Sequence, residues 1–540
     1  MYKPLIYLIS IFMLVSCVSK QEVDLIIFNA QVYTVNDNQP TVESFAVQNG
    51  KFVAVGSHKD INKEFKSGRS IDMQGRTIVP GLIDGHCHFF GLGQSMQIAD
   101  LKGTKSYEEI LERLKDFNKG RKLSFISGRG WDQNDWEEKV FPNKEKLDRL
   151  FPNTPVALER IDGHAILANQ KMLDLAQIND ETEVEGGEII KENGQLTGVL
   201  VDGAMNLLNN AWPEMPLEGK IKALKDADKH CLNLGLTTVS DAGLNRSEID
   251  LIDSLQRTGD LKIKVYAMIT ASNENLDHYL KKGIYHTDKL NVRSFKVYAD
   301  GALGSRGAVL KTSYSDRENH FGGMLSPLDT LSNIAKKLAR SDFQMNTHAI
   351  GDSANAFILK TYAKELKSQT NRRWRIEHAQ VIDSNDFEYF TEIIPSVQPT
   401  HATSDMYWAS DRLGQSRIKG AYAYKKLLDI NGRIILGTDF PVEQVNPMLT
   451  FYAAVARKDT KGFPEKGFEI NNGLSREQTL KGMTIWAAYG NFEENQKGSI
   501  EVGKDADFVV LNQNIMEIEI EQVPNTEVYG TYINGEKVNF

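Results

Sequence analysis

"GLIDGHCHFF", residues 81–90, sets two histidines one residue apart in an otherwise apolar run with glycines on either side. On an extended strand residues i and i+2 share a face, so His86 and His88 point together while Cys87 points the other way. A sealed core strand gains nothing from two imidazoles. A strand that opens at its end onto a cleft can aim both at a ligand. The His-x-His pair alone does not decide between these, because paired histidines also serve local hydrogen bonds. The decision comes from where similar residues fall in the rest of the chain.

Working outward, the middle of the chain alternates short β-branched or aromatic runs with charged helical runs such as "KIKALKDADKHCLNLG" and "LSNIAKKLARSDF", the βαβα pattern of a parallel sheet covered by helices. The strand candidates are "GLIDGH", "LTTVSDA", "KIKVYAMI", "VRSFKVYA", "FQMNTHA", "RWRIEHA", "IIPSVQP" and "RIILGTD". Eight βα units predict an α/β fold of the (β/α)8 TIM-barrel type over 81–490, although a doubly wound sheet produces a similar string. The stretch after the first strand is far too long for an ordinary βα connection. It carries helix, strand and turn signals of its own, so residues 96–232 read as an inserted subdomain. Alternating runs from Val23 to Thr77 and again near the C-terminus, where Asn534-Gly535 marks a hairpin turn, predict one β-sandwich built from 22–80 and 491–540.

The barrel expectation gives the histidine pair its context. His348 ends strand five, His378 ends strand six and Asp439 ends strand eight. The C-terminal ends of barrel strands converge at one mouth, where barrel active sites sit, so four histidines and an aspartate should meet there. Lys296 lies in strand four within "SFKVYADGALGSRGA", where an unpaired lysine would be costly to bury. It is either ion-paired or carboxylated, with its carbamate bridging two metals.

The chain has 540 residues, 41% hydrophobic and 25% charged, with a net charge of −9. That is ample for a core and lacks the basic footprint a nucleic-acid partner requires, so a small-molecule substrate is expected. The opening "MYKPLIYLISIFMLVSCVSK" reads as a secretory signal over residues 1–21, and its end resembles a bacterial lipobox with Cys17 as the lipidated residue. A lipobox cysteine carries the acyl chains that stable anchoring needs, predicting an exported protein anchored to the cell envelope, on the periplasmic side or at the outer membrane. Cys87 and Cys231 are then the only other cysteines, too few for a disulfide scaffold.

"GLIDGHCH", "FKVYADGALGSRGA", "NTHAIGD", "RIEHAQ", "QPTH" and "GTDFPV", in this order and spacing, resemble the metal-dependent amidohydrolase superfamily. Within it they are similar to the YtcJ-like branch that includes N-substituted formamide deformylase. The resemblance covers nearly all of the mature chain and includes the terminal β-sandwich. It implies that His86 and His88 bind one metal and His348 and His378 another, bridged by a carboxylated Lys296. Asp439 would bind metal and act as general base. An oxygen and nitrogen donor set suits Zn2+, as one ion or two. In the insertion Trp131, Asp132, Arg160 and His164, and on the barrel Arg306 and His401, become candidates for the substrate pocket. The activity implied is hydrolysis of a non-peptide carbon–nitrogen bond: an amide, an N-formyl group or a cyclic amide. The sequence leaves open an esterase, lactonase or phosphoesterase on the same site, and a non-catalytic binding protein of the same fold.

Overall fold

Each of the eight runs is a strand in the computed structural model: β1 (Leu82–Cys87), β2 (Leu236–Leu244), β3 (Lys264–Thr270), β4 (Leu290–Tyr298), β5 (Gln344–Ala349), β6 (Arg375–His378), β7 (Ile394–Val397) and β8 (Ile435–Leu436). Neighbours in chain order are parallel and hydrogen-bonded from β1 through β8. The structure describes residues 20–539 apart from 122, 162, 164, 185, 186, 210, 213, 368 and 370, so the leader and Cys17 lie outside the described residues. The strands are buried on both faces, as parallel strands under helices must be. The helix Leu328–Ala339 shows why the helices lie outside: it buries Leu331, Ile334, Ala335 and Leu338, one stripe at helical spacing, and turns its lysines outward.

The seam between β1 and β8 completes the barrel. Among the described residues no strand ladder joins them; instead the Asp439 N–H donates to the His86 carbonyl at 2.8 Å. Thr438 adds its N–H and hydroxyl to the Asp84 carboxylate at 3.1 and 2.7 Å. Two glycines permit this approach. A Cβ on Gly85 would stand 2.2 Å from Ile435 Cγ2, and one on Gly437 would stand 2.5 Å from the His86 nitrogen. Any side chain at either position would push apart the strands that carry His86 and Asp439.

Two sheets built from the chain ends pack over a shared core. A four-stranded sheet holds Lys51–Gly56, Ser44–Gln48, Leu25–Phe28 and Ser70–Asp72. A six-stranded sheet interleaves N-terminal strands such as Thr77–Pro80 with the C-terminal strands Phe508–Leu511 and Val528–Ile533. Phe45, Phe52, Phe508 and Tyr532 fill the space between them. The expected Asn534-Gly535 turn is present, with φ of 51° and 77°, both left-handed as a type I′ turn requires. Lys264, at the start of β3, ties the barrel to this sandwich: its buried ammonium lies 2.6 Å from Asp507, 2.9 Å from Asp505 and 3.1 Å from the Asn534 amide oxygen. Burial alone would push Lys264 down, but the two carboxylates hold its pKa above the usual lysine value.

By its internal contacts the chain divides into two compact units. The barrel strands and the terminal sheets fall in the first, which takes the described residues up to Cys87 together with Cys231–Asn245 and Lys262–Phe540. The second takes His88–His230 and Arg246–Leu261. It begins eight residues earlier than the expected insertion boundary at 96, and it includes the stretch that follows β2. The Lys225–Asp260 ion pair at 2.8 Å, between the helix Leu217–Asn233 and that stretch, is one reason the two group together. Its own six-stranded sheet includes Ile126–Trp131, Val156–Arg160, Ala165–Ala168 and Gln195–Asp202. The helix Tyr107–Asn118 is capped by Ser106, whose hydroxyl accepts from Glu109 N–H. Among the described residues, no helix is long and apolar enough to cross a membrane.

Candidate metal centre and active site

Register sets the mouth of the barrel. Tyr298 on β4 pairs with His348 on β5, and Ala349 pairs with His378 on β6. The two histidines therefore end adjacent strands at nearly the same height, with ring centroids 4.4 Å apart. The His86 ring lies 5.0 Å from that of His378, and Lys296 Nζ is 3.1 Å from His86 Nε2. Asp439 stands between two histidines: Oδ1 is 3.6 Å from His86 Nε2, and Oδ2 is 3.6 Å from His401 Nε2. Five of the six expected ligand residues, together with His401, thus converge within the first unit. His88 follows β1 directly, precedes the helix Phe89–Ser95 without a side-chain capping bond, and is the first residue of the second unit.

The imidazoles are prepared as ligands. His86 is fully buried and donates its Nδ1–H to Glu377 Oε2 at 2.6 Å, which turns the Nε2 lone pair into the site. Burial and the neighbouring Lys296 hold the His86 pKa below its usual value. His378 makes the equivalent contact through Nδ1 to Gln398 Oε1 at 2.8 Å. Burial, with His348 beside it, holds its pKa well below the ordinary range. His348 is pushed down to about 3, by burial first and then by Lys296. Neutral imidazoles with aimed lone pairs are what a metal ion requires. The Nε2 atoms of His348 and His401 are buried with no hydrogen-bond partner, a cost that coordination removes. His378, His401 and Asp439 offer ligand atoms that all lie within 4.8 Å of one another. The residues present therefore fit a divalent ion.

Lys296 is 1% exposed. Burial lowers its pKa, although Glu377, Asp439 and Asp241 oppose the shift. A lowered pKa raises the share of neutral amine, the form that reacts with carbon dioxide to give a carbamate. Glu377 shows the converse balance: burial pushes its pKa up, but His86 and Arg375 outweigh that and keep it a carboxylate.

Two supporting acids escaped the sequence reading. Glu377 directly precedes His378, and strict strand alternation places neighbours on opposite faces. The extended path ends at His378, whose φ is 74° and is followed by 42° at Ala379; that turn lets both side chains serve the site. Asp439 is likewise held at a φ of 63°, a strained geometry of the kind active sites retain. Asp300, in "YADGALG", accepts backbone N–H groups from Val309, Ile350 and Gly351 at 2.8–2.9 Å, joining the segments that follow β4 and β5. Burial, against these donors, pushes its pKa up to about 6.

The pocket candidates separate. Arg306 forms a two-pronged pair with Asp316 at 2.8 and 3.1 Å, a structural brace of its own loop. In the second unit Arg160 pairs with Asp132 at 2.9 Å. Trp131 is a correction to the pocket assignment. It is sealed in that unit's core with its indole N–H on the Leu158 carbonyl, so its side chain is committed to packing. His164 lies outside the described residues.

A parallel eight-stranded barrel with a nitrogen and oxygen ligand set at its C-terminal mouth defines the class of metal-dependent barrel hydrolases. The family model described as the amidohydrolase family matches residues 69–539, and the chain belongs to that family. It is 30% identical to YtcJ of Bacillus subtilis (strain 168), covering 94% of this chain and 98% of that one. It is 23% identical to the N-substituted formamide deformylase of Arthrobacter pascens, covering 95% and 97%. Among solved structures it is similar to an uncharacterized metal-dependent hydrolase from Pyrococcus horikoshii OT3, with a TM-score of 0.78, 28% identity and coverage of 92% and 99%.

Proposed function

We propose that this amidohydrolase-family chain hydrolyses a carbon–nitrogen bond other than a peptide bond, in an amide, N-formyl or cyclic amide substrate, with Zn2+ as cofactor. The observation that carries the reading is the pair of buried Nε2 atoms on His348 and His401 that make no hydrogen bond, set among the other donors at the barrel mouth. His86 and His88, two residues apart on the same chain path, hold one ion. His348 and His378 would hold a second where two are bound, with Lys296, if carboxylated, as a ligand available to both. A bound zinc ion lowers the pKa of water from 15.7 to about 7 and polarises the scissile carbonyl. Glu377 keeps His86 in the Nδ1–H tautomer, and Gln398 does the same for His378. Asp439, fixed by its N–H bond to the strand across the seam, accepts the proton of the attacking water and delivers it to the leaving nitrogen. The deformylase relative supports a nitrogen leaving group. Asp132 and Arg160 remain candidates for substrate contact. Upstream of the catalytic chain, the leader is removed and Cys17 is lipidated, which anchors the enzyme to the bacterial envelope.

The test is metal analysis followed by a substrate panel. Protein expressed with ample metal should carry one to two equivalents of divalent ion per chain. It should turn over members of an amide, N-formyl and cyclic amide series ahead of matched esters, lactones and phosphoesters. Asp439→Asn should keep the fold and most of the metal while losing turnover by about the 10²–10⁴-fold that general acid–base catalysis supplies. Protein holding well under one equivalent, or an Asp439→Asn variant with wild-type turnover, would overturn the assignment.

A further inference from the structure

We infer that His401 is a metal ligand, sharing one ion with His378 and the Oδ2 oxygen of Asp439. The inference rests on the metal-dependent reading above and changes its ligand set, because His401, which follows strand seven, is there only a candidate for the substrate pocket. His401 Nε2 stands 3.6 Å from Asp439 Oδ2, beyond the roughly 3.2 Å reach of an N–H···O hydrogen bond. Two ligands about 2.0–2.1 Å from one tetrahedral ion, however, lie about 3.3–3.4 Å apart. The spacing suits a shared ion and does not suit a direct bond. His378 is the candidate third donor: its ligand atom and those of His401 and Asp439 all lie within 4.8 Å of one another.

Orientation agrees with distance. His378 directs its Nδ1 to Gln398 Oε1 at 2.8 Å, so its Nε2 is the ligating nitrogen. Gln398 is also the cap residue of the helix Pro399–Asp405, and its carbonyl accepts the His401 N–H at 3.1 Å. One four-residue segment therefore orients His378 through Gln398 and presents His401. The two rings are nearly parallel, 15° apart with centroids at 5.9 Å. His401 Nε2 is buried with no hydrogen-bond partner, an unmet polar demand that a bound cation would satisfy. Asp439 turns Oδ1 to the His86 side at 3.6 Å, so its two oxygens face opposite sides of the site.

The test uses the full-length chain and Co2+ as probe. Affinity is measured by competition with a chelator, with the visible cobalt spectrum recorded alongside, for wild type, His401→Gln and His401→Ala. A residue that only orients a ligand costs about 10–100-fold in metal affinity. A direct ligand should cost more than about 100-fold at the site it serves, alter the cobalt bands, and allow added imidazole to recover binding in His401→Ala. A loss below that bound with an unchanged spectrum refutes the assignment. Crystals of wild type grown with Co2+ decide the matter should either variant fail to fold. An anomalous peak within about 2.3 Å of His401 Nε2 supports ligation, and a loaded site whose peaks all lie beyond about 3 Å refutes it. Wild-type protein that binds no Co2+ would instead overturn the metal-dependent reading itself.

Discussion

Removing the Glu377 carboxylate should weaken metal binding and stability by separable amounts. Its Oε2 accepts the His86 Nδ1–H at 2.6 Å with both side chains fully buried. A hydrogen bond to a charged group contributes about 1.5–3 kcal/mol, which converts to about 10–150-fold in affinity at 1.4 kcal/mol per decade. An amide oxygen still accepts from Nδ1–H, so Glu377→Gln should fall near the lower end and Glu377→Ala near the upper. Arg375, also fully buried, lies 3.9 Å from the other carboxylate oxygen. Leaving that guanidinium without its carboxylate should cost about 3–5 kcal/mol of fold stability. Thermal melts of the metal-free variants read the second effect, and chelator competition on the folded protein reads the first. The double variant Arg375→Met/Glu377→Gln should regain stability without regaining metal affinity. Metal affinity in both Glu377 variants within twofold of wild type would refute the orienting role.

The Lys264 cluster gives a test of pH dependence. In Lys264→Met the buried Asp507 carboxylate loses its ammonium partner and the partly exposed Asp505 keeps only Lys51, with an expected cost of about 3–5 kcal/mol read as a fall in Tm; an unchanged Tm would refute the clamp. Burial would raise the Asp505 pKa, but Lys264 and Lys51 hold it below the usual carboxylate value. Its contribution is therefore present above about pH 4 and lost as pH falls through the lowered folded value. The raised Lys264 contributes below about pH 10 and is lost as pH climbs through its own folded value. The variant should accordingly lose most stability relative to wild type between these limits, and a uniform offset at every pH would contradict the linkage. Cys17→Ser should abolish incorporation of labelled palmitate and move the protein from the membrane pellet to the soluble fraction; retained label would refute lipidation at that residue.

The strands were readable because parallel barrel strands are short, apolar and buried on both faces, so all eight runs stand out from the charged helices between them. His86, His348, His378 and Asp439 were readable for a related reason. A polar ligand residue at the end of an apolar run has few other uses, and the barrel sends every such end to one mouth. Glu377 was hidden by the alternation rule, which fails where the backbone leaves the extended region at His378. Trp131 looked like a pocket residue beside loop signals, and packing claimed it. Nothing in local sequence distinguishes an aromatic side chain facing a core from one facing a ligand.

Periodicity and spacing alone thus determined which strands and helices form and which residue types end the strands, since those follow from burial patterns repeated along the chain; the strand order that makes a barrel rather than a doubly wound sheet came from the fold. Tertiary structure decided the pairings: which oxygen of Asp439 faces His86 and which faces His401, and that Glu377 orients His86 while Gln398 orients His378. It also decided that β1 and β8 can meet at all, through Gly85 and Gly437. Those outcomes depend on ångström-scale distances between residues hundreds of positions apart. Such distances arise only when the strand register and the seam are set together.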